Sequence, residues 1–526
     1  KDGSGKGKIY TETKYTGSAT GHAMVEVLPG GSLVMESGYL DAASFTNDPA
    51  NEGQFAIGVT GGDKGASVTM NGGKVEAGWY AISGNESKLE EDTTVVVNGG
   101  ELISVADYAI YQPQLGSVEI KGGVVYGAAG GVAMNRGNLI VSGGVITSKG
   151  QGDTGDWGDG TGGLDNAAVN VSAKYDDVAV TISGGEFVAA GDAVTIEKGT
   201  THTAEIAISG GTLSSDVSEY ITADSGITKN EDGKWVVAPL GQQNAAAEAN
   251  NTYYKTLQEA VEKNNNTTVK LLQDVKENIT IAEGKTLTLD LNGKTITETS
   301  AMVVEGTLTI EDSTATEAPA VSGDYNKVTY EAGMIQNTAD GIVVRNGGKL
   351  TVNGGIIHST ANNAVSINGS DTAAGWETPI ESQATINGGY LHSREYGIGV
   401  YGNGAVLNVE GGVIVADDNA AVAGNGSKTA SQNFGGTTIN ISGGTLIGHI
   451  ITEGYIAVGI YHPQSGELNI TGGTIYADNG VGICIRNGAL NISDDATIIA
   501  TGTEAGKVGD AANQIPGKAV VVDYAK

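Results

Sequence analysis

Aliphatic residues recur at every second position for four or five residues, stop at a pair of glycines, then resume one residue later. The unit is apolar, x, apolar, polar, Gly-Gly, x, apolar, as in Val68-x-Met70-Asn71-Gly72-Gly73-x-Val75 and Val95-x-Val97-Asn98-Gly99-Gly100-x-Leu102. It returns at Val118-x-Ile120-Lys121-Gly122-Gly123-x-Val125 and at Gly143-Gly144, Gly184-Gly185 and Gly210-Gly211. Later pairs are Gly354-Gly355, Gly388-Gly389, Gly411-Gly412, Gly443-Gly444 and Gly472-Gly473, eleven copies in all. Alternation with period two predicts a short strand with one buried face. The glycines supply positive φ and turn the chain.

Neighbouring pairs lie 23 residues apart (99 to 122, 388 to 411) or 21 apart (122 to 143). A repeat near that length is too short for two packed helices and fits one coil of three short strands. The gap from 144 to 184 predicts a looped or skipped coil. Stacked coils pair like strands in parallel, about 4.8 Å per coil. Leu407, Ile439, Leu468 and Leu490 should then form one internal ladder, and Val409, Ile441, Ile470 and Ile492 the next. No single coil buries its own apolar face, so only the array is stable. The Gly-Gly-x-Gly-x-Asp pattern of calcium-binding nonapeptide repeats is absent.

The pattern stops between about 216 and 250. Asn230 to Val237 reads as a terminal hairpin, and the Asn-, Gln- and Ala-rich stretch from Gln242 to Asn251 as a linker. A helix follows near 256–263, with Thr256-x-x-Glu259 as a capping box and Leu257, Ala260 and Val261 as its apolar face. Such a helix plugs the open end of a coil stack. The expectation is an all-β chain of two tandem right-handed parallel β-helix domains, a rod on the order of 100 Å long. The first covers 1–240, the linker 241–252, and the second, with the capping helix, 253–526. The first shows no plug, so its start is expected upstream of Lys1. The halves also repeat each other: Tyr111-Gln112-Pro113-Gln114 matches Tyr461-His462-Pro463-Gln464 at an offset of 350, and Arg136 meets Arg486 at the same offset.

Composition narrows the functions. Gly is 83 of 526 residues, aromatic residues are 5%, and the formal net charge is −32. That charge argues against nucleic acid, whose phosphates need clustered Lys and Arg, and against anionic lipid. The lone Cys484 excludes an internal disulfide and a thiolate zinc site. No apolar run reaches the roughly 18 residues of a membrane span. The Gly/Lys-rich start carries no signal peptide and reads as a mature or cut segment.

The plug helix, the run Leu287-Thr288-Leu289-Asp290-Leu291-Asn292-Gly293-Lys294 and the Gly-Gly coils resemble pectin-lyase-like β-helix domains, more narrowly those of large surface proteins of Gram-positive gut bacteria. The likeness covers nearly the whole chain. It implies the fold and leaves function open, because such coils carry lyases, hydrolases, adhesins and stalks.

Glycoside hydrolysis needs two carboxyls flanking one bond. Asp176/Asp177, Asp417/Asp418 and Asp494/Asp495 are the candidate pairs, but adjacent strand residues point to opposite faces. The family's Asn-x-Asp and Gly-His-Gly hydrolase signatures are missing, so no catalytic residue is assigned. Asp153, Asp156, Asp159 and Asp165, on a Gly-rich loop, are the oxygen ligands calcium would take. A solvated loop is the plainer alternative, no cofactor is otherwise implied, and calcium should not be required for folding. Tyr111, Gln112, Gln114 and Arg136, and Tyr461, His462, Gln464 and Arg486, are the candidate ligand-binding groups, of types that stack on and hydrogen-bond to sugars or peptides. A structural role in the turn is the alternative, and the favoured one. The expected function is that of a non-catalytic, extracellular adhesin or ligand-binding rod on a bacterial cell surface. Its partner would be a host or dietary glycan or glycoprotein, with no nucleic acid and no membrane insertion, as a monomeric rod within a larger protein. A passive stalk comes next, and a polysaccharide lyase or hydrolase last.

Overall fold

The computed structural model describes residues 6–10, 23–43, 55–62, 64–84, 93–150, 166–196, 201–370, 378–424, 436–493, 495–509 and 511–523. The chain forms two compact units, Lys1–Asn244 and Ala245–Lys526. Each is a solenoid of parallel strands.

In both units the strand before each Gly-Gly pair stacks on its equivalents in one sheet, and the strand after it in another. A third strand completes the coil. The registers follow the sequence repeat: Val68, Val95, Val118, Leu139, Val180 and Ile206 pair in succession in the first unit. In the second, Leu407, Ile439, Leu468 and Leu490 form the expected ladder, and Val409, Ile441, Ile470 and Ile492 the next. Within the stack the inward positions are almost fully buried, and only at its ends do Ile206 and Leu490 become half-buried and Ile492 exposed; each fully buried side chain contributes about 1.5–3 kcal/mol through removal from water.

Each glycine of a pair has its own reason. The second takes positive φ, 89° at Gly73 and Gly100 and 81° at Gly123. The first lies so close to the coil below that a Cβ would meet its carbonyl oxygen. The approach is 2.8 Å to Glu36 from Gly72, 3.0 Å to Asn71 from Gly99 and 2.6 Å to Asn98 from Gly122.

The coils on either side of the gap between Gly144 and Gly184 are direct neighbours in the stack. Val145 pairs directly with Glu186, and the strand Val178–Val188 runs across its own Gly-Gly pair, joining two sheets into one. The first unit ends in an antiparallel hairpin, Ser225–Lys229 with Trp235–Pro239, that pairs onto strand Ala204–Leu213 and covers the end of the parallel stack.

The second unit starts before the sequence suggests. Ala247–Ala249, in the expected linker, pairs antiparallel with Thr252–Tyr254 and with Thr267–Leu271. The helix α1 (Leu257–Lys263) buries Leu257, Ala260 and Val261. Thr256 Oγ1 accepts the Glu259 N–H at 3.1 Å. The reciprocal half of a capping box is replaced: Glu259 takes Lys263 at 2.6 Å, and Glu277 accepts the Leu257 and Gln258 N–H groups at 3.0 Å each. An acid 20 residues beyond Leu257 does the capping because the next coil brings it there.

Candidate functional site

The Tyr-x-Pro-Gln turns go inward. Gln114 Nε2 donates to Val59 O at 2.9 Å and Thr93 Oγ1 at 3.1 Å; Gln464 Nε2 donates to Val400 O at 3.0 Å and Thr437 Oγ1 at 3.2 Å. Gln112 donates to Gln114 O at 2.7 Å. His462, in the equivalent place, meets Asn487 O at 3.0 Å, and burial pushes its pKa down. Gly84 and Gly424 share one reason: a Cβ there would strike the Gln114 or Gln464 side chain.

Tyr111, Gln112, Gln114, Tyr461, His462, Gln464 and Arg486 are therefore buried. Arg136 is tied to Asp176 at 2.8 Å. The expectation of a ligand-binding face is corrected for the seven buried residues, which offer no surface, while the half-buried Arg136 is engaged by Asp176. The pairing of Arg136 with Arg486 is also corrected. The coil after Gln112 returns at Met134, that after His462 at Ile485. The second unit carries one more residue there, and Asn135 is the counterpart of Arg486. Asn135 donates to Tyr111 OH at 2.9 Å as Arg486 donates to Tyr461 OH at 3.2 Å.

The acids are similarly engaged. Arg136 holds the Asp176 carboxyl below its usual range, and Asp177 accepts the Thr203 N–H at 2.7 Å. Asp418 accepts from Ile451 N at 2.9 Å and Thr452 N at 2.8 Å. Asp417 receives His392 Nε2 at 2.9 Å to both oxygens. Asp176, Asp177 and His202 lie within 4.8 Å of one another, but Arg136 already neutralises the first. Asp153, Asp156, Asp159, Asp165 and Asp494 lie outside the described residues.

Two surfaces emerge instead. Glycine pairs have no side chains, so their stacked turns leave a shallow trough over part of each unit. In the first it is lined by Lys8, Gly38, Tyr39, Gly73, Lys74 and Glu101. Lys8 and Lys74 sit over the Tyr39 ring at 5.1 and 5.3 Å, and Tyr39 OH donates to Glu76 at 2.7 Å. Burial and the neighbouring Glu76 raise the Tyr39 pKa. In the second unit the trough is lined by Glu311, Asp312, Glu317, Tyr330, Asn353 and Asn387. Its wall is the insertion between Glu311 and Met334. Asp312 anchors that insertion, accepting from Gly293 N at 3.1 Å, Thr314 N at 2.9 Å and Gly333 N. Burial opposes its charge, but these bonds hold its pKa down.

The second surface is the outside of the sheet after the glycines in the second unit. Gln336, His358, His392, Val415, Ile447, Tyr476 and Ile499 stack in register there. The insertion's hairpin lies over part of it, with Tyr325 stacked on Tyr476 at 4.4 Å and Val321 and Val328 against Val413, Val415 and Ile447. His358 and His392 remain half-buried, their ring centroids 4.9 Å apart.

Reading the sequence missed Tyr39, Tyr330, His358 and His392. The signal was present in part: His358 and His392 occupy the same place relative to Gly355 and Gly389, the third residue after each pair. No protein-family model matches the chain, and searches of curated proteins and of solved structures find no match.

Proposed function

We propose that the chain is a non-catalytic, extracellular binding protein of a bacterial cell surface, which lays an extended glycan or glycoprotein along the Gly-Gly troughs. The observation that carries this reading is that both units form the trough and edge it with an aromatic ring and polar groups: Tyr39, Lys74 and Glu101 in one, Tyr330, Asn353 and Asn387 in the other. Ring faces and amide or carboxylate edges are the groups that recognise sugars. Held on stacked strands, they lose little freedom on binding. Weak sites on one chain gain by avidity against a repetitive polymer. The resemblance to pectin-lyase-like surface proteins of gut bacteria points the same way, and Asp176, Asp177, Asp417 and Asp418 are each engaged by Arg136, His392 or a backbone N–H rather than paired across a groove.

The test is a glycan and glycoprotein array with the purified chain, repeated with Tyr39→Ala and Tyr330→Ala. Binding that falls at least tenfold in the double variant, with melting unchanged, is the expected result. Binding indifferent to both tyrosines overturns the trough as the site, and an array without any binder leaves the chain a passive stalk.

A further inference from the structure

We propose that His358, His392 and Asp417 form a binding site for a divalent transition-metal ion, of the zinc, nickel or copper kind, on the outer face of the second unit. The two histidines face each other across a parallel pair of strands in register, His358 opposite His392 and, beside them, Ile357 opposite Leu391. The backbone therefore holds both imidazoles on adjacent rungs, with ring centroids 4.9 Å apart and planes 45° apart.

Asp417 follows the next strand of the same sheet and meets His392 Nε2 with both oxygens at 2.9 Å. Two ligands about 2.0–2.1 Å from a tetrahedral ion stand roughly 3.3 Å apart, so an ion replaces that proton with a shift of a few tenths of an ångström. As placed, the ligand atoms of the three do not all lie within 4.8 Å of one another, so His358 must turn its ring towards the pair to become the third ligand. Tyr390, two residues before His392 on the same strand, stacks on its ring at 5.4 Å and 9° and restricts it. Two imidazoles and one carboxylate suit zinc, nickel and copper and disfavour calcium and magnesium, which take oxygen. All three groups remain within reach of solvent: the His392 and Asp417 side chains are 24% and 47% exposed.

The reading is independent of the trough. Zinc is titrated into metal-stripped protein by calorimetry, in millimolar magnesium and calcium to occupy the acidic surface. One saturable zinc site per chain is expected. His392→Ala should abolish it, His358→Ala should weaken it at least tenfold, and Asp417→Asn should weaken it by about tenfold or more. His202→Ala and His449→Ala should leave it unchanged. Copper added to the wild type should show nitrogen hyperfine coupling from two imidazoles. Absence of a saturable site, its persistence in His358→Ala with His392→Ala, or its loss in His202→Ala would each overturn the proposal. Melting curves verify that each variant is folded.

Discussion

Glu298 has its side chain turned into the solenoid, where it accepts the Ile279 N–H at 3.0 Å. Burial pushes its pKa up to about 8, from 4.5. The folded state thus holds a proton that the unfolded chain has released. Stability is full below pH 4.5, falls as pH rises towards 8 and is flat beyond. Glu298→Gln has no such loss. Its melting temperature relative to the wild type should therefore rise by several degrees between pH 5 and pH 9; a constant difference would place the carboxyl in solvent. Cys484 is a second buried case. Its neighbours Ile483 and Ile485 are buried, and its own side of the strand is covered too, by Ile456, Val508 and Ala511. Burial raises the thiol pKa to about 12, so the native protein should resist alkylation that goes to completion in denaturant. The Tyr-x-Pro-Gln turns teach the same point. Their chemistry was readable in the residue types, but whether Gln464 faced a ligand or Val400 was set by a coil 64 residues away.

The element that repeats is the turn, and its two glycines do different work. Gly122→Ala would place a methyl 2.6 Å from Asn98 O, which the stacked backbone cannot relieve; a loss of about 2 kcal/mol or more is expected. Gly354→Ala meets nothing nearer than Asp312 N at 3.5 Å, because the insertion lifts the turn below, and should be tolerated. Equal effects in chemical denaturation would contradict the stacking argument. Strands add an outward ladder of amides: Asn440 donates to Asn408 at 2.9 Å, Asn469 to Asn440 at 3.0 Å and Asn491 to Asn469 at 2.8 Å. At about 0.5–1.5 kcal/mol per bond, Asn440→Ala, which removes two of these bonds, should cost about 1–3 kcal/mol, and Asn491→Ala, which removes one, about half as much. The repeat Leu-Asn-Val, Ile-Asn-Ile, Leu-Asn-Ile displays this ladder in the sequence once the coil length is known. The capping of α1 by Glu277 was not visible there, because proximity through a coil leaves no local signal.

At the scale of the whole molecule, α1 is 7 of 526 residues, so far-UV circular dichroism should show less than about a tenth helix, against about a third in an average globular protein. A larger helical signal would contradict the solenoid. The architecture was legible because one short-range rule, alternation broken by Gly-Gly, is repeated until registers such as Leu407 to Ile439 to Leu468 follow by counting. Such a repeat dictates which side chains face inward, since period two leaves each strand only two faces. It does not dictate what lies over the outer face. That was decided by the pieces outside the repeat: the insertion that lays Tyr325 on Tyr476, the segments that bury Cys484, and the extra residue that aligns Asn135 rather than Arg136 with Arg486. Only the tertiary structure brings His358, His392 and Asp417 together, because contacts between coils depend on the length of every loop between them, and loop length carries no hydrophobic pattern.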